Sequence, residues 1–342
     1  MNGEGAGSQR AALTADGVFS GGGIKGLAFA GALAGAEAAG YGRWHEVAGT
    51  SAGAITAMAL AVGYDAGSLR SSLNAFDFQR IADYGSPIHL LGAVRDLVLH
   101  ESVVEGDELT RWIRELLEQA PLGGVGAETT FGELRALRGD GQLVVVGADI
   151  AHSRVVAFPR DVALYCDRHG RPLDPDSFPI YRAVRISASY PYFFPPGGGL
   201  WDRSTEKEGV FVDGGVASSF PLFVFDKPQP RHPTWGFHLH GGFDAKEDQP
   251  SHRDIGGITW PKQMLEGILD TAVNALDKFE LRGFQSRVIP IPTGAVSTLN
   301  FNLSAQEKAY LYDSGLKAAE AFFATAPSGE NSYGKVPSSP AA

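Results

Sequence analysis

Residues 44–63 read WHEVAGTSAGAITAMALAVG and spell out one compact structural unit. Trp44–Ala48 has the apolar character of a short strand, Gly49–Gly53 that of a tight turn, and Ala54–Val62 that of a small-residue helix stopped by Gly63. The preceding stretch has the same grammar. Ala15–Ser20 (ADGVFS) predicts a strand, Gly21-Gly22-Gly23 a turn, and Ile24–Gly40 a helix that ends at its glycine. Two strand–turn–helix units in succession predict a parallel sheet with helices on its faces, an α/β fold.

Working outward, Asp107–Gln119 carries Leu109, Trp112, Ile113, Leu116 and Leu117 at helical spacing. Gln142–Val146 is apolar enough for a buried parallel strand, and Arg154–Phe158 reads as another. Val210–Val212 predicts a short strand that leads into Asp213-Gly214-Gly215, and Thr234–His240 alternates as a late strand. Pro261–Phe279 and Ser304–Phe323 predict covering helices, the second opened by Ser304 and Glu307 at capping-box spacing.

Composition bounds what such a chain does. Its 342 residues, 44% hydrophobic and 20% charged, are enough for one large domain or two ordinary ones. A domain of this size buries about three quarters of its unfolded surface and needs no covalent staples. No repeat or linker divides the chain, which predicts one domain over 13–325. The Gly/Ser/Ala-rich residues 1–12 and the segment 326–342 have the composition of disordered tails. One cysteine, Cys166, excludes an internal disulfide and a cysteine-only metal site. A net charge of −10 argues against broad attraction to nucleic acid. The first dozen residues lack a secretory apolar core, and Ala48–Gly63 falls short of the about 20 apolar residues that span a bilayer. The expectation is a cytoplasmic protein, peripheral to a membrane at most.

Chemistry concentrates in three motifs. Gly49-Thr50-Ser51-Ala52-Gly53 is a G-x-S-x-G between a predicted strand and a predicted helix, the setting of a nucleophile elbow. Such a turn exposes the serine oxygen at a helix N-terminus, where developing negative charge is favoured. An ordinary glycine turn with a capping serine is the plainer reading. Gly21-Gly22-Gly23-Ile24-Lys25-Gly26 matches G-x-G-x-x-G, but Trp44–Ala48 runs into GTSAG where a dinucleotide site wants a ribose-binding carboxylate at the strand end. A P-loop wants Ser or Thr after the lysine, and Lys25 is followed by Gly26. The remaining use is an oxyanion hole made of bare backbone N–H groups. Asp213-Gly214-Gly215, at the carboxyl end of its predicted strand, supplies a carboxylate to accept the serine proton directly or to orient a histidine.

In this order the three motifs, with Arg185–Pro195 (RISASYPYFFP) as a fourth, resemble the patatin-like phospholipase family over roughly residues 14–240. The resemblance implies a three-layer α/β/α fold with a mostly parallel central sheet. It implies lipid acyl hydrolase activity through a Ser–Asp pair without histidine and without metal or organic cofactor. On this chain Ser51 becomes the nucleophile, Asp213 its base, and the N–H groups of Gly21, Gly22, Gly23 and Ile24 the oxyanion hole. Lys25, Gly26, Gly49, Gly53, Gly214 and Gly215 support the motifs. The chain departs from the family at Ser20 and Lys25, where many members carry Asp and Arg, and at Ser219, where Asn is frequent.

Two other readings stand beside it. A histidine-using α/β-hydrolase would recruit His238 or His240 after Ser51 and Asp213, in the right chain order, although that fold usually has several strands before its elbow. A non-catalytic lipid-binding protein could keep the same fold. The stripe Ile88, Leu90, Leu91, Val94, Leu97 and Val98 fits core packing or a lid that touches a membrane surface transiently. Tyr190–Pro196 could line an acyl pocket or pack under a loop. His238-x-His240 has metal-ligand spacing on one strand face but no evident third ligand.

Overall fold

In the computed structural model the described residues are 12–82, 108–139, 141–191, 194, 197–240, 285–298 and 300–325. The stripe Ile88–Val98, the charged loop 241–256, the helix expected over 261–279, much of Tyr190–Pro196 and the two tails (residue 12 apart) lie outside them.

The two repeated units form as read. Strand β1 (Leu13–Phe19) runs into the glycine loop, a single 3-10 turn at Gly23–Gly26, and then helix α1 (Leu27–Ala38). The helix therefore starts later than Ile24, because the glycines hold the chain in a tighter turn first. Strand β2 (Tyr41–Thr50) meets α2 (Ala52–Ala61) with Ser51 alone between them. Helix α3 (Ala66–Ala75) follows, capped by the reciprocal Asp65–Ser68 box. Helix α4 (Glu108–Glu118) buries the predicted stripe of Leu109, Trp112, Ile113, Leu116 and Leu117, and α5 is Phe131–Arg138. Strands β3 (Leu143–Asp149) and β4 (Arg154–Phe158) form a hairpin.

Two short strands, β5 (Tyr165–Cys166) and β6 (Trp201–Asp202), pair separately. Between them lies α6 (Ile180–Ser187); β7 (Phe211–Asp213), β8 (Thr234–His240), β9 (Val288–Pro292) and α7 (Ala305–Thr325) complete the set.

The main sheet runs β4-β3-β2-β1-β8-β9, parallel except for β4, with β7 attached to β3. Strand order reverses at β1, flanked by β2 and β8. Open α/β sheets bind ligands at the carboxyl ends of strands beside such a reversal. Alternation along β1 and β2 splits their side chains between two faces. Ala15, Phe19 and Val47 join the large core beneath the helices. Val18 and Ala48 face the other way, against Phe220, Leu222 and Phe225. Helices α1 and α7 cross at backbone contact: a Cβ at Gly31 would fall on the Tyr312 carbonyl, and one at Gly315 on that of Ala28.

Strand β7 departs from expectation in direction. It is antiparallel to β3, with Asp213 opposite Gly147, whereas β2 is parallel to β3 and ends with Thr50 opposite Val146. Since β4 occupies the other edge of β3, β2 and β7 share one edge and meet end to end. Their last residues bring Ser51 and Asp213 together.

Candidate active site

Ser51 has φ 55° and ψ −121°, a conformation that side-chain-bearing residues rarely hold. Its neighbours must therefore be small. A Cβ at Gly49 would collide with the Gly53 carbonyl, and one at Gly53 with that of Phe19. The Ser51 carbonyl accepts from the N–H groups of Ala54 (2.9 Å) and Ile55 (3.2 Å), which starts α2. Its own N–H, beyond the last residue of β2, donates to Ser187 Oγ at 2.9 Å. The side chain is nearly buried yet still open to solvent at 9% exposure.

Asp213 is buried. Its N–H donates to the Ser189 carbonyl (2.9 Å), and its Oδ1 accepts the Gly215 N–H (2.8 Å). Oδ2 has no hydrogen-bond partner of normal geometry among the described residues. Burial pushes the Asp213 carboxyl up to about 6; the nearby Ser51 hydroxyl and the Gly215 N–H pull the other way. A carboxylate so placed is ionised at neutral pH and a much better proton acceptor than an exposed one. Gly214 allows it to sit there, since a Cβ would strike the Val146 carbonyl.

The glycine loop divides into used and open donors. Gly21 N–H donates to the Ser219 carbonyl at 2.8 Å and Ile24 N–H to the Thr298 carbonyl at 3.2 Å. Of the four N–H groups expected to hold an oxyanion, those of Gly21 and Ile24 therefore have backbone acceptors. Gly22 and Gly23 donate to nothing among the described residues. Gly23 has φ 56°, and its missing Cβ makes room for the Thr298 carbonyl. Lys25 is half-buried on the 3-10 turn, and Gly26 packs against Ala52 of the elbow, where a Cβ would come within 2.8 Å of the Ala52 Cβ.

Positions that depart from the family pattern are occupied structurally. Ser20 Oγ accepts the Leu239 N–H at 2.9 Å, tying the glycine loop to β8. Ser219 contributes its carbonyl to Gly21. Thr50 Oγ1 donates to the Ser218 carbonyl at 3.1 Å, fastening the elbow to the segment after Asp213. His238 is buried against the Phe220 ring, 5.2 Å between centroids. Among the described residues, the one cluster of metal-ligand composition is Asp16, His45 and Glu46, lower on β1 and β2. Lys227 Nζ lies 2.6 Å from Glu46 there and already supplies a positive charge.

Sequence reasoning missed Ser187, Ser189 and Thr298 as holders of the site. The first two lie in the segment Arg185–Pro195, which carried the fourth motif, but Ser187 meets Ser51 across 136 residues. No local pattern encodes that bond.

A strained serine thus stands beside a buried carboxylate at the carboxyl edge of a mostly parallel sheet. Comparison with known proteins gives the class as lipid ester hydrolases on an α/β scaffold. The chain belongs to the patatin-like phospholipase family, which it matches over residues 17–226. It is 32% identical over 311 residues to the uncharacterized protein YqhO of Bacillus subtilis (strain 168), covering 90% of this chain and 97% of that one. Among solved structures, VipD of Legionella pneumophila superposes with a TM-score of 0.56 at 17% identity, covering 93% of this chain and 67% of VipD. ExoU of Pseudomonas aeruginosa, in its complex with SpcU, gives 0.49 at 18% identity, with 93% and 52% covered. No helix among the described residues is long and apolar enough to cross a membrane.

Proposed function

We propose that this chain hydrolyses the acyl esters of glycerolipids, with Ser51 as nucleophile and Asp213 as its general base. The observation that carries the reading is a strained Ser51 beside a buried Asp213 whose Oδ2 has no hydrogen-bond partner of normal geometry among the described residues. Ser51 Oγ gives its proton to Oδ2 as it attacks the ester carbonyl carbon. The carbonyl oxygen, now negative, takes the open N–H groups of Gly22 and Gly23. Collapse expels the alcohol of the lysolipid, which receives the proton from Asp213. Water then gives a proton to Asp213 and attacks the acyl-enzyme. The fatty acid leaves, and the proton returns to Ser51. The substrate reaches this site from a membrane surface by transient contact.

A histidine relay fits less well. In a Ser–His–Asp arrangement the carboxylate binds the imidazole and the imidazole binds the serine. Here Oδ1 is taken by the Gly215 N–H, and the Ser51 hydroxyl lies directly beside the carboxylate. The test is lipidomics of a phospholipid extract treated with wild type and with Ser51→Ala. Lysolipid and free fatty acid should accumulate with wild type alone, both variants having the same circular dichroism. Equal product from the two proteins removes Ser51 from the mechanism.

A further inference from the structure

The end of β2 poses a hydrogen-bonding problem that a residue outside the proposed chemistry solves. In a parallel pair, N–H groups of one strand bond directly to carbonyls of the next. At the elbow that ladder is interrupted. Ser187 Oγ accepts the Ser51 N–H at 2.9 Å and donates to the Val146 carbonyl of β3 at 2.5 Å. One side-chain oxygen thus stands between a donor and an acceptor that would otherwise close on each other. Ser187 is fully buried at the last position of α6, so it has no route to a substrate. Two residues on, the Ser189 carbonyl holds the Asp213 N–H, and Arg185 Nη1 donates to Ser189 Oγ at 2.6 Å.

We propose that Ser187 is a positioning residue that sets the height of the Ser51 elbow above β3, and so the reach of Ser51 Oγ to Asp213 Oδ2. The proposal rests on the reading of Ser51 and Asp213 as nucleophile and base. Removing the oxygen leaves two outcomes for the backbone. The Ser51 N–H and Val146 carbonyl draw together and pull the elbow toward β3, or they remain buried and unpaired in a loosened turn. Asp213 does not follow, because its N–H is held separately by Ser189. A displacement of about 1 Å between reacting groups costs on the order of 10²-fold in rate. Substrate binding is untouched, so the loss falls on kcat with KM unchanged.

The experiment compares wild type, Ser187→Ala, Ser187→Thr and Ser187→Cys. Threonine keeps the oxygen but adds a methyl at a buried position; cysteine keeps a weaker donor and acceptor without it. Turnover of a p-nitrophenyl acyl ester, labelling of Ser51 by a fluorophosphonate, and hydrogen exchange of the Ser51 amide are measured on each. The expected result for Ser187→Ala is a kcat and labelling rate lower by about 10²-fold at constant KM, with a changed Ser51 exchange rate: faster if the N–H is left unpaired, slower if it closes on Val146. Threonine or cysteine should recover most of both. A wild-type kcat in Ser187→Ala, with only a lowered melting temperature, overturns the proposal and leaves Ser187 a structural group. If wild type itself neither turns over ester nor labels at Ser51, the catalytic reading fails separately. Exchange then decides the positioning: a change of either sign confined to Ser187→Ala supports it, and unchanged exchange overturns it.

Discussion

At the scale of single residues, the role proposed for Asp213 ties activity to stability with opposite signs. Its folded carboxyl is raised from 3.8 to about 6. A raised acid favours the protonated folded state, so its stabilising share is complete below about pH 4 and is lost as pH rises through 6. A general base must be ionised, so turnover should climb over the same window. Wild type is thus expected to gain activity and lose stability between pH 4 and 7. Asp213→Asn keeps the acceptor for Gly215 and removes the buried charge. It should be nearly inactive, yet more stable than wild type at pH 8 by up to about 3 kcal/mol, with the difference gone at pH 4. Thermal melts of both proteins at the two pH values check this. A variant less stable at pH 8 would mean that the carboxylate is held by more than the Gly215 bond. At the same scale, the glycine loop should respond unevenly. Gly21 and Ile24 already spend their N–H groups, which leaves Gly22 and Gly23 as the donors whose displacement matters for rate.

At the scale of elements, small residues determine how closely parts approach. Glycine inside a helix costs about 1 kcal/mol relative to alanine. Helices α1 and α7 bear that cost at Gly31, Gly35 and Gly315 because their backbones touch there. Gly315→Val should force the helices apart and destabilise the fold by about 3 kcal/mol, read from the urea midpoint. Gly123→Ala, where an added Cβ meets nothing within 4 Å, should be neutral in the same assay.

Elements also show what was legible in the sequence. Both strand–turn–helix units, the α4 stripe and the Ser304–Glu307 cap could be read because periodicity and punctuation are local signals. The cap is present reciprocally, at 2.8 and 3.2 Å. Helix α5 escaped notice although Thr130 and Glu133 form the same box at its start; its eight residues carry a short pattern. Strand β9 was hidden by Pro290 and Pro292. Proline argues against an interior strand but is tolerated at a sheet edge, and both prolines are exposed there. The antiparallel sense of β7 was beyond reach. Three residues have no direction of their own, and the pairing that gives them one is with β3, far back in the chain.

At the scale of the whole molecule, charge should shape the encounter with a membrane. With 39 acidic and 29 basic residues, the chain is repelled by an anionic bilayer, and salt screens that repulsion. Turnover on vesicles containing phosphatidylglycerol should rise between 20 and 200 mM salt, roughly severalfold, while turnover on pure phosphatidylcholine vesicles stays level. The opposite trend on anionic vesicles would indicate a basic docking patch that overrides net charge. The overall topology was legible in outline: a mostly parallel sheet with its motifs at the carboxyl edge. The meeting of Ser51 and Asp213 was legible as a list of residues but not as an arrangement, because the contacts that create it span the chain.

The end-to-end meeting of β2 and β7 on one edge of β3 also bears on how the protein is made. During synthesis the serine elbow leaves the ribosome early, while the carboxylate proposed as its base arrives only when β7 does. Translation at about 5–20 residues per second leaves an interval of many seconds in which the nascent chain has Ser51 and not yet Asp213. On the proposed reading, placing the two halves of the chemistry on distant strands would keep the activity silent until β7 is in place.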